Sequence, residues 1–295
     1  MIEASLRHII PYDNVNADAW RQAMTATCES FASSGLCDPK FFVEMMCMEK
    51  GKTWSCISEA LVYSLLKEKD FPSRLNLGSG PDFLVTDGEK RVWIEVICPE
   101  PSGLPEDWLN CDPGKNWSFP QQEILLRWTS AIKAKADKLD SYLSSNVVSP
   151  EDVFVIAVNG CRLRNGPFSS IMGISHHPVA AEVVFGFGAY QIHFDRKSLE
   201  VKEVDHSYRP SVRNQNDAVI STNTFWDERF DQISAIWALD INGHSVFGGS
   251  EPKYVVHNPK ATNPLRHRFL KSDGEYVAIE SAGQYTIQKI QGLQA

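Results

Sequence analysis

The segment Val153-Phe154-Val155-Ile156-Ala157-Val158-Asn159 constrains the fold more than any other. Successive side chains of a strand point to opposite faces. A strand that is apolar on both faces must be covered on both, as in the centre of a sheet sandwiched by helices. Helical patterns before this run and strand-like patterns after it make one α/β domain over residues 1–295 the economical reading, with a strand-rich C-terminal half.

Bulk composition sets outer bounds. The 295 residues are 43% hydrophobic and 22% charged, which is ordinary for a globular protein. No segment approaches the roughly 20 apolar residues of a membrane helix, and Met1–His8 lacks a basic start followed by an apolar stretch. A cytoplasmic protein with no membrane partner is expected. Seven cysteines, an odd number without a Cys-x-x-Cys pair, read as reduced thiols and not as a disulfide frame or zinc site. A formal net charge of −8 argues against nucleic-acid affinity spread over the whole surface. It leaves room for a local basic groove drawn from Arg162, Arg164, Arg209, Arg213, Arg266 and Arg268.

Residues 1–37 read as helical or irregular. Asp38-Pro39 suits a helix start, predicting a helix near 39–50 that buries Phe41, Phe42, Met45 and Met46. A second helix, near 54–69, carries Trp54, Ile57, Leu61 and Leu65 at helical spacing, with Glu59 just beyond the apolar side. A hairpin follows over 82–97, turning at Asp87-Gly88, and then a long irregular stretch over 98–118. A third helix runs from about Ser118 to Leu143, where Ser118 and Gln121 have the spacing of a capping box. Further strands are expected at 183–187, 190–194, 234–241, 254–257, 276–279 and 285–290, with 205–223 as polar loop.

Each strand of the hairpin carries one acid where an apolar residue is expected, Asp82 in one and Glu95 in the other. Ionised carboxylates are rarely buried without a positive partner. Two on neighbouring strands suggest a shared divalent cation held by oxygen ligands. Parity puts Arg91, Trp93, Glu95 and Ile97 on one face, and a main-chain carbonyl beside such an acid is a further ligand. On the third helix, Leu125, Trp128, Ile132, Leu139 and Leu143 form one stripe. Lys135 lies about 20° from the bearing of Trp128 at 100° per residue, while Lys133 and Lys138 fall outside the stripe. Lys135 is thus the lysine aimed at the core, where an ammonium needs acids.

Pro81-Asp82 and Glu95-Val96-Ile97 resemble the PD-(D/E)xK motif of the restriction-endonuclease-like nuclease superfamily. The order of helix, hairpin, helix and apolar strand resembles that core as well, over roughly residues 50–160, leaving 161–295 as a strand-rich extension. Ile97 stands where the motif lysine belongs. Some branches move that lysine to the following helix, and Lys135 fits the move. The resemblance implies a mixed central sheet flanked by helices and a metal-dependent phosphodiesterase, acting on DNA ahead of RNA. It implies Mg²⁺ or Mn²⁺ held by Asp82, Glu95, Glu59 and the Ile97 carbonyl, and catalysis by Lys135 with Asp82 and Glu95. It also implies phosphate contact from Arg127, and a homodimer as the usual oligomer. The rival expectation is a catalytically degenerate relative that serves as a nucleic-acid-binding or assembly module.

Other motifs carry less. His176-His177, if on a strand, point to opposite faces. His257-Asn258-Pro259 reads as a strand-ending turn, since the rest of a metal-finger motif is absent. Gln121 and Gln122 read as helix-capping residues.

Overall fold

The computed structural model describes residues 1–67, 73, 80–110, 114, 116–166, 168–281 and 284–291. The expected end of the second helix, at 68–69, and Cys111 lie outside them.

The helices are α1 (Ile2–Ile9), α2 (Val15–Ser33), α3 (Phe41–Met46), α4 (Lys50–Leu66), α5 (Glu106–Asn110), α6 (Gln121–Ser144) and α7 (Val179–Phe185). The strands are β1 (Phe83–Asp87), β2 (Lys90–Ile97), β3 (Val153–Asn159), β4 (Phe187–Phe194), β5 (Val201–Tyr208), β6 (Ser211–Arg213), β7 (Val219–Ser221), β8 (Ala235–Leu239), β9 (Lys253–His257), β10 (Gly274–Ser281) and β11 (Gln284–Ile290). Among the described residues, seven strands form one mixed sheet in the order β1-β2-β3-β8-β9-β10-β11. β2, β3 and β8 run parallel, β9 and β10 run parallel, and the remaining neighbours are antiparallel. The protein is therefore an α/β protein with a mixed, helix-flanked central sheet, and its C-terminal half is rich in strands. No helix among the described residues is long and apolar enough to cross a membrane.

Every residue of β3 is buried, as a strand covered on both faces must be. On one face α1 to α4 pack Leu6, Phe31, Ile57 and Leu61 against Val92, Ile94, Val155 and Trp237. On the other, α6 and α7 pack Leu125, Trp128, Ile132 and Val183 against Trp93, Phe154, Ile156 and Ile236. The parity of β2 follows the alternation of its sequence. Val92, Ile94 and Val96 enter the first core, while Trp93 and Ile97 enter the second. Asp152, just before β3, accepts from Arg91 Nε at 2.8 Å and Nη2 at 2.7 Å and from the Trp93 indole N–H at 2.9 Å. This fork fixes the register of β2 on β3.

Local expectations failed in several places, the first being the irregular stretch 98–118, which holds the short helix α5. Of residues 183–187, expected as strand, 183–185 form the end of α7, which Pro178 and Gly186 at φ +75° bound, and only Phe187 lies in a strand, at the start of β4. All seven residues of α7 are buried, and a short apolar run has no periodicity that tells helix from strand. The segment 205–223 is not plain loop, for it contributes to β5, β6 and β7. The β4–β5 ribbon is exposed along most of its length, so it lacks the one-sided apolar alternation that marks a half-buried strand. Of the side chains expected inside near α3, Phe41 and Met45 are buried, but Phe42 and Met46 are exposed. The third helix starts at Gln121, and no side chain caps it. Gln121 instead donates to Glu182 at 3.2 Å, and Gln122 to the Arg213 carbonyl at 2.7 Å.

Candidate active site

Asp82 immediately precedes β1, and the pairing of Phe83 with Ile94 sets it opposite Glu95 on β2. Directly opposed residues of an antiparallel pair share a face, here the face covered by α6. Glu95 has no exposed surface. Its Oε1 accepts from the Lys135 ammonium at 2.7 Å and the Lys138 ammonium at 2.6 Å, and its Oε2 accepts from the Tyr142 hydroxyl at 3.2 Å. Asp82 Oδ2 accepts from the Val96 N–H at 2.7 Å. The carboxylates thus sit side by side at the edge of the sheet, with two ammonium groups brought down from the C-terminal half of α6.

Burial, and then the negative charge of Glu95, push the Asp82 carboxyl up to about 6. Burial lowers the Lys138 ammonium, but attraction to Glu95, with help from Asp82 and Glu59, outweighs it and leaves that pKa raised. Burial, then the charges of Glu95 and Asp82, raise the Tyr142 hydroxyl, so it remains a donor. Lys135 is 15% exposed and Lys138 47% exposed at the side chain. Lys138 therefore connects the buried acids to solvent.

The expected residues assemble in part. Asp82, Glu95 and Lys135 meet. Glu59, half-buried on α4, lies near enough to Lys138 to influence its charge. Ile97 shares the Glu95 face, with its side chain partly buried in the core beneath α6. Arg127 stands apart. It lies eight residues before Lys135, about 12 Å along the helix axis at 1.5 Å per residue. There it donates to Ser102 Oγ at 2.8 Å and lines a separate groove of about 340 Å³ with Gln122 and Asn214.

Lys138, outside the apolar stripe by bearing and not expected to point inward, reaches Glu95 all the same, and Tyr142 was not anticipated. Lys135, Lys138 and Tyr142 follow an i, i+3, i+7 spacing, which places them along one side of a helix. Lys138 lies about 40° from Tyr142 in bearing, a gap its four-carbon stem spans. Its ammonium also sits 5.4 Å from the centre of the Tyr142 ring.

The donors are of the right kind for a hard divalent cation, two carboxylates beside a strand carbonyl. The present partners of Glu95, Lys135 and Lys138 on one oxygen and Tyr142 on the other, would have to yield one oxygen. Comparison with protein-family models, with curated proteins and with solved structures finds no match in any of the three.

Proposed function

We propose that the chain is a metal-dependent nuclease that hydrolyses phosphodiester bonds, in DNA ahead of RNA. The observation that carries this reading is the convergence of Asp82, Glu95 and Lys135, which fits the three positions of a PD-(D/E)xK-type site with its lysine moved to α6. Asp82 and Glu95, with the Ile97 carbonyl and with Glu59 at the margin, would hold Mg²⁺ or Mn²⁺. Such a cation polarises a phosphodiester and lowers the pKa of an attacking water. The two acids and two ammonium groups balance one another, so a divalent cation would make the site net positive and attractive to phosphate. Lys135 would then orient the nucleophilic water or stabilise the charge that develops on phosphate. Lys138 would meet the substrate from the solvent side. Arg127 would contact phosphate only along the neighbouring groove, away from the scissile bond.

A second reading draws on the saturation of Glu95. Both of its oxygens already have donors, and it is wholly buried. On this reading the cluster is a structural ion network in a degenerate relative that binds nucleic acid or assembles with partners.

One experiment separates the two. Purified protein is incubated with single- and double-stranded DNA and with RNA, with Mg²⁺ or Mn²⁺. The nuclease reading expects metal-dependent cleavage that Asp82→Asn, Glu95→Gln and Lys135→Met each reduce by at least about 100-fold, the scale of losing a transition-state donor. Absence of cleavage, with nucleic-acid binding unchanged by those variants, assigns the cluster to structure.

A further inference from the structure

Four strands along the sheet from β1, three donors converge from three segments. His257 ends β9, Glu275 is the second residue of β10, and His267 lies on the connection between them. One donor atom from each lies within 4.8 Å of the others. His257 Nε2 is 2.9 Å from Glu275 Oε2, and His267 Nδ1 is 3.6 Å from the same oxygen. The imidazoles stack at 29° with centroids 4.5 Å apart. Glu275 and His257 are buried, while His267 is exposed.

From these positions we propose a transition-metal site of the Zn²⁺ class with ligands His257, His267 and Glu275. A tetrahedral zinc with nitrogen and oxygen ligands has ligand-to-ligand edges of about 3.3 Å. The two separations at Glu275 Oε2 bracket that value, and all three donor atoms lie within 4.8 Å of one another. Two imidazoles and one carboxylate favour zinc, cobalt or nickel over magnesium. The second carboxylate oxygen is already fixed. Glu275 Oε1 accepts the Arg268 backbone N–H at 2.7 Å, with Arg268 held at φ +60°. An outer-shell hydrogen bond of this type orients a metal-binding carboxylate. The exposed side of His267 leaves a fourth position for water, beside a groove of about 820 Å³ lined by Asp87, Lys90 and Arg266.

The placement also gives the metal a structural task. β9 and β10 are parallel neighbours, and a parallel pair needs a crossover connection, usually helical. The segment between them, Asn258 to Asp273, contains no helix. Leu265, Phe269 and Leu270 anchor it to the first core. A metal bridging His267 to His257 and Glu275 ties its exposed part back to both strands.

The test is a calorimetric titration of the full chain with Zn²⁺, with Co²⁺ in parallel to read the visible absorption of the bound ion. The expected result is one Zn²⁺ per chain at this site, retained in Asp82→Asn. His267→Ala should weaken it by at least about 100-fold, beyond the range of outer-shell changes. His267 is exposed, so its variant should unfold like the metal-free wild type. Excess Zn²⁺ should raise the unfolding temperature of the wild type and leave that of His267→Ala unmoved. Unchanged Zn²⁺ affinity in His267→Ala and His257→Ala, or no Zn²⁺ binding by the wild type, overturns the proposal. Neither result bears on cleavage at Asp82.

Discussion

Glu95 is a carboxylate with no exposed surface, and three donors converge on it. Removing one partner of a buried charge leaves desolvation uncompensated. Lys135→Met leaves Lys138 and Tyr142 in place and should cost about 1–3 kcal/mol in urea unfolding. The Lys135→Met, Lys138→Met pair should cost about 3–5 kcal/mol, because only the hydroxyl remains. Asp82 behaves in the opposite sense. Its folded-state pKa, about 6, exceeds its ordinary value of 3.8. The folded protein therefore holds a proton there that the unfolded chain releases. The stability this contributes is present below pH 4 and is lost as pH rises from about 4 to about 6. Asp82→Asn should remove that component of the pH dependence and be more stable than wild type at pH 8 by up to about 3 kcal/mol. Chemical denaturation across pH 3.5–8 measures it. A metal held by Asp82, as the proposed function requires, would compete with the same proton, so Mn²⁺ affinity should fall as pH drops below about 6.

At the scale of elements, α6 carries the site and its fixing. Its apolar stripe seats it on the sheet, and its last turns bring Lys135, Lys138 and Tyr142 over the acids. Its first turn is tied to Glu182 on α7 and to Arg213 on β6. α7 in turn ends at Gly186, at φ +75°, where an added Cβ would lie 3.0 Å from a Tyr208 ring carbon and 3.3 Å from Pro210 Cα. Gly186→Ala should lower stability by about 1–2 kcal/mol, the cost of left-handed backbone for a residue with a side chain, before any crowding is counted. Thermal unfolding checks this. The stripe of α6 was legible because its period is long and regular. α7 was not, because a segment buried on every side carries no period to read. The inward bearing of Lys135 was legible, while the reach of Lys138 was not, since a backbone angle does not specify where a flexible stem ends.

At the scale of the molecule, one sheet takes β1 to β3 from the segment that holds the acids and β8 to β11 from the C-terminal half. β3 is buried only because β8 lies beside it and both helical layers cover it. A chain cut after residue 161 would expose the β8-facing edge of β3 and much of both cores. It should show no cooperative unfolding transition and should aggregate, as tryptophan fluorescence and light scattering would report. By itself, the sequence determined what depends on local order: a both-faces-buried strand, hence an α/β sheet, two acids in one hairpin segment, and a helix whose regular stripe points one lysine inward. Tertiary structure alone decided what depends on long-range placement. It set Asp82 opposite Glu95 beneath α6, added Lys138 and Tyr142, and left Arg127 in another groove. It also brought His257, His267 and Glu275 together across a parallel strand pair. Periodicity specifies the direction of a side chain from its own element, whereas a site requires directions from separate elements to intersect, and only packing fixes where they do.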